Sequence, residues 1–132
     1  MNYPAESRIT KYPQYLQVDF GSCDGFELSA TYRSFVDICL GTQLNRALLQ
    51  AGDNEPSGHR QLRELLSAMA RTAAVPADFK LALVPSTPAI KAVYREAQHA
   101  LRAIGLNAWV FDTVADAVEW LEGRSPSGPM AS

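Results

Sequence analysis

Cysteine and histidine are scarce in this chain, two of each, and neither sign of charge prevails. Cys23 and Cys39 form no CxxC unit and have no histidine pair nearby, so a four-ligand zinc site has nothing to build on and no metal is expected. A reducing cytoplasm suits such sparse thiols, with Cys39 read as a small buried hydrophobe and Cys23 as a loop thiol. Twelve Lys and Arg stand against fourteen Asp and Glu, six against eight in residues 1–66 and six against six thereafter, for a formal charge of -2. No block is basic enough to track phosphates, which excludes general nucleic-acid binding. No apolar run approaches the roughly eighteen residues of a membrane span, and Met1–Arg8 has neither the basic start nor the apolar core of a signal peptide. The glycine-rich phosphate loops are missing too, leaving nucleotide chemistry without local support. What is present is 132 residues, 47% of them apolar, enough for one domain burying roughly two thirds of its unfolded surface.

The apolar residues are placed with regular periods. From Gln14 to Phe20 they alternate, with Leu16, Val18 and Phe20 on one face and Tyr15, Gln17 and Asp19 on the other, as in a half-buried strand; Arg8 to Tyr12 is expected to pair with it at an edge. Asp24 followed by Glu27 reads as a capping box, opening a helix near residue 25 with Leu28, Tyr32, Phe35, Val36 and Cys39 inward. Arg46–Gln50 predicts a central strand, and Leu62, Leu65, Leu66, Met69 and Ala70 predict a helix capped by Ser57 and stopped by Pro76. Phe79–Val84 is a strand able to face helices on both sides. Thr87 as N-cap and Pro88 at the first turn open a helix with Ile90, Val93, Tyr94, Ala97, Leu101 and Ile104 toward the core, closed by Gly105. Leu106–Phe111 is the last strand. Thr113 and Asp116 start a final helix carrying Ala117, Val118 and Leu121, which Gly123 ends.

Strand and helix thus alternate four times, predicting an α/β fold: a mainly parallel or mixed sheet of four to five strands with helices packed against it. Residues 1–13 are an extension or edge strand, 14–122 a single domain, and 123–132, rich in Ser, Gly and Pro, a flexible tail.

Phe79–Pro85, the helix after it, and Leu106 onward into Ala117-Val-Glu-Trp120-Leu121 together resemble the C-terminal half of bacterial SpoIIAA-like (STAS-type) domains. In these a strand, a helix, a strand ending in Phe and a helix ending Ala-x-x-Trp-Leu follow in this order. The resemblance spans residues 14 to 122 and implies a SpoIIAA-like fold and a small binding or regulatory role. Some members are switched by phosphorylation of a Ser at the start of the second long helix, and the matching residue here is Ser57, in Glu55-Pro-Ser57-Gly58. Regulated members carry an Asp-Ser-Ser-Gly-like turn directly after a strand ending in Asp. Here the strand runs out as Leu49-Gln50-Ala51-Gly52, with Asp53 after it.

In a parallel sheet the loops that follow the strands gather at its carboxyl end beside helix N-termini. Asp53, Ser57, Ser86, Thr87 and Thr113 form the candidate ligand or partner surface there, and Ser57, Thr87 and Thr113 also read as helix caps worth about 1 kcal/mol each. Asp53, Ser57 and His59 put carboxylate, hydroxyl and imidazole close in sequence. Without a Gly-x-Ser-x-Gly elbow they make no triad, so no catalytic residue is assigned. Neither His59 nor His99 has a second histidine at ligand spacing. Lys91, Arg95, His99 and Arg102 recur at helical steps, a basic surface suited to an acidic partner or simply a solvated face, while Trp109 is assigned to packing.

The expectation is a non-enzymatic, protein-binding or regulatory domain with no cofactor, no nucleic acid and no stable membrane insertion. A homodimer through the basic helix or the Arg8–Tyr12 edge is open, and the alternative function is a small-ligand or lipid-associated module using the carboxyl edge.

Overall fold

A computed structural model of the chain describes residues 9–21, 25–42, 45–52, 59 and 78–123. Asp24, Cys23, Asp53, Ser57, the helix expected after Ser57 and the tail from residue 124 lie outside them, as does the side chain of Cys39. The described elements are β1 (Ile9–Lys11), β2 (Leu16–Asp19), α1 (Gly25–Thr42), β3 (Arg46–Gln50), β4 (Lys80–Val84), α2 (Pro88–Ala103), β5 (Asn107–Val110) and α3 (Val114–Leu121). They build one mixed five-stranded sheet in the order β1-β2-β3-β4-β5. β1 runs antiparallel to β2, and the remaining neighbours are parallel.

Because spatial order follows chain order, crossovers of one hand deliver their helices to one face. The cores follow that rule. Leu28, Tyr32 and Phe35 of α1 and Ile90, Tyr94, Ala97 and Leu101 of α2 share a cluster with Leu16, Val18, Leu49, Leu81 and Leu83. Ala117, Trp120 and Leu121 of α3 pack on the opposite face, against Tyr15, Leu48, Ala82, Val84 and Phe111. β4 is buried on both faces, as its unbroken apolar run requires.

The ends of α2 explain its limits. Thr87 Oγ1 accepts from the Ile90 amide at 3.2 Å, and Pro88 occupies the first turn, where its missing N–H costs nothing. At the other end the amides of Gly105 and Leu106 donate to the carbonyls of Arg102 and Leu101 at 3.1 and 2.9 Å, a Schellman motif with Gly105 at φ 96°. This geometry corrects one expectation. Ile104, placed by periodicity on the core face, is the C-cap residue with φ -101° and ψ 11°, so it leaves the helical phase and is 48% exposed. Tyr15 shares the face of Gln17 and Asp19 as its alternation demands, yet it is buried, because the α3 cluster covers it and Tyr12 stacks on its ring at 4.9 Å.

α3 carries no basic residue in its last turn, where a cation would offset the exposed carbonyls. Arg46, from the first position of β3, donates to the Leu121 carbonyl instead. Lys80, its register partner on β4, lies 5.4 Å from the Trp120 ring centre. The edge strand β5 is blunted against further pairing, since the Val110 amide donates to Gln98 Oε1 at 2.7 Å and that of Ala108 to the Leu106 carbonyl.

Candidate functional site

The carboxyl end of the sheet brings together Gly21, Gly52, Pro85 to Thr87, and Asp112 with Thr113. Its loops are tied to one another by backbone and hydroxyl groups. Phe20 donates its amide to the Gln50 carbonyl, Ala51 to that of Val84, and Phe111 to that of Leu83, at 3.0, 2.9 and 2.8 Å. Ser86 Oγ donates to the Gly52 carbonyl at 2.6 Å, and Asp19 Oδ1 accepts from the Gly21 amide. Gly52 is required by contact, because a β-carbon there would sit 2.0 Å from the Gly21 carbonyl oxygen.

The structure therefore brings Ser86, Thr87 and Thr113 to one edge and gives each an internal bond, Thr113 capping α3 through the Asp116 amide at 3.1 Å. All three remain exposed. The basic residues of α2 divide. Lys91 Nζ bridges to Asp112 Oδ1 at 2.8 Å, and that bond, with the Lys91 charge and then Arg95, holds the exposed Asp112 carboxyl below the ordinary range. Arg102 sits at the far end, its guanidinium 3.8 Å above the centre of the Trp109 ring, while Asn107 Oδ1 accepts from both Arg102 and the Trp109 indole. Lys91 and Arg102 thus make their contacts at opposite ends of the helix, with exposed Arg95 and His99 between them.

A second constellation lies inside the α1/α2 face, where the sequence assigns Tyr32 and Tyr94 to packing and gives His59 no role. His59, fully buried, is met by Tyr32 of α1 and Tyr94 of α2, whose hydroxyls lie 2.7 and 3.2 Å from its Nδ1. The hydroxyls are also within hydrogen-bonding reach of each other. Phe20, just beyond β2, presents its ring edge-to-face to the imidazole at 5.2 Å. Nδ1 has one in-plane lone pair. One arrangement that satisfies both phenols has Tyr32, at the shorter distance, donating to Nδ1 and Tyr94 donating to the Tyr32 oxygen, with the imidazole proton on Nε2. Burial pushes the imidazole down to about 4 and both phenols up, so all three groups are neutral near pH 7.

The signal that could have found this cluster was present. Two tyrosines on inward helical positions bring hydroxyls that need partners, and a histidine nearby in the fold is a ready acceptor. Among the described residues no group of three or more His, Cys, Asp or Glu could hold a metal ion, and no helix is long and apolar enough to cross a membrane. Compared with protein-family models, with curated proteins and with solved structures, the chain matches none.

Proposed function

We propose that this chain is a non-enzymatic binding and regulatory domain of the SpoIIAA-like (STAS) type that engages another protein through the carboxyl edge of its sheet. The observation that carries the reading is the condition of that edge. Its loops are braced by the Gly52–Gly21 contact and the Ser86–Gly52 bond, and its hydroxyls stay exposed beside the start of α2. A braced, exposed edge loses little conformational freedom on binding, which favours a protein contact. The order of strands and helices, ending in Trp120-Leu121 against the core, agrees with the family resemblance. Ser57 belongs to the proposal as the phosphorylation switch that the resemblance implies.

A photo-crosslinker at exposed Ala89, in the first turn of α2, with one at exposed Glu119 of α3 as control, tests the reading in the native host. One defined protein is expected from the Ala89 position alone, and Lys91→Glu, which sets like charges beside Asp112, reduces its capture at least about tenfold, equivalent to about 1.4 kcal/mol. Equal capture at both positions contradicts it. A co-purifying lipid in place of a protein would transfer the edge to the small-ligand alternative. Peptide mass spectrometry of the same sample reads phosphate on Ser57.

A further inference from the structure

His59 is the one described residue between Gly52 and Asp78, and it joins three separate parts of the chain. Tyr32 reaches it across 27 residues and Tyr94 across 35, so a single ring ties the β3–β4 connection to both helices of one face. β2 adds the Phe20 ring, which does not titrate, and Tyr94 and His59 themselves meet edge-to-face at 5.2 Å. Among the described residues, the titratable groups that meet the imidazole from the helices are the two phenols, Tyr32 from α1 and Tyr94 from α2.

Protonation at Nδ1 inverts this arrangement. The nitrogen becomes a donor, Tyr32 has to accept from it, and its hydroxyl proton turns to Tyr94, whose own proton then loses its place in the chain of bonds. A charge also enters a fully buried ring. We propose that His59 is a proton-operated clamp: neutral, it fastens residue 59 to α1 and α2, and protonated it releases both tyrosines and loosens the α1/α2 face while the α3 face stays packed. The device is independent of the partner-binding role of the carboxyl edge. Its switch is a single proton, so the opening equilibrium grows about tenfold for each pH unit lost between the ordinary imidazole value and the buried one.

The two faces report separately. Trp120 belongs to the α3 cluster, whereas Tyr32 and Tyr94 lie on the other face and Trp109 carries Arg102 of α2 on its ring. The test is a titration of the full chain from pH 7 to pH 4, following histidine ring resonances, amide exchange in α1 and α2, and the fluorescence of Trp120 in a Trp109→Phe background. The expected result is α1 and α2 exchange, corrected for its intrinsic rate, accelerating with a slope of one proton while tryptophan emission is unchanged. His59→Gln keeps an acceptor without a titrating group and removes that slope. Should the variant not fold, the wild-type data decide alone. A His59 ring that titrates with an unburied value near 6.5, or helix exchange and tryptophan emission that change together, overturns the clamp.

Discussion

The two faces of the sheet solve the same problem with opposite materials. The α1/α2 face encloses its polar groups, placing His59, Tyr32 and Tyr94 fully out of water. On the α3 face the cations stay at the rim, where Arg46 caps the helix end and Lys80 rests over Trp120. Enclosed groups must satisfy one another and respond to protons; rim groups keep their hydration and respond to salt. The contrast predicts that pH acts on one face and packing mutations on the other.

The largest effect should come from Trp120→Ala, which opens the α3 cluster and is expected to cost about 3–5 kcal/mol in denaturant unfolding. The slope of stability against pH between 4 and 6.5 should be unaltered by it, and a changed slope would mean that the faces are coupled. Acid comes next. The folded-state value of His59, about 4, lies below the ordinary 6.5, so the unfolded chain binds the proton first. Its contribution is complete above pH 6.5 and declines as pH falls toward 4, by at most about 3 kcal/mol. Tyr32→Phe removes the shorter bond to Nδ1 and should cost about 1–3 kcal/mol at pH 7, with a smaller loss for Tyr94→Phe, whose hydroxyl lies farther from Nδ1. Smallest is Arg46→Ala, about 1 kcal/mol in thermal unfolding and confined to α3, because the cap it provides is a single charge-assisted bond to a helix end.

The architecture was readable because local signals agreed. Alternation at Leu16 to Phe20, Thr87 with Pro88, and Gly105 at positive φ each mark an element boundary through its own backbone chemistry. Ile104 was misplaced because the same Gly105 that ends α2 makes its predecessor a cap, and periodicity alone does not register where a helix stops. Contacts between distant elements were beyond reach of any local pattern. Lys91 with Asp112, Arg102 over Trp109, and the pairing of His59 with two tyrosines depend on crossovers that bring separate segments together. Of the candidate edge, Ser86, Thr87 and Thr113 do come together, and Asp53 and Ser57 lie outside the described residues.

The difference between the two faces rests most on the chemical state of one ring. Nitrogen NMR of the His59 imidazole distinguishes an unprotonated Nδ1 from a protonated one and follows its titration. The clamp predicts that Nδ1 is the acceptor at pH 7, that Nε2 carries the proton, and that titration waits until about pH 4. A titration centred near 6.5 would show that the imidazole is not enclosed between Tyr32 and Tyr94, and a proton on Nδ1 at pH 7 would reverse its bond to Tyr32; either result contradicts the clamp.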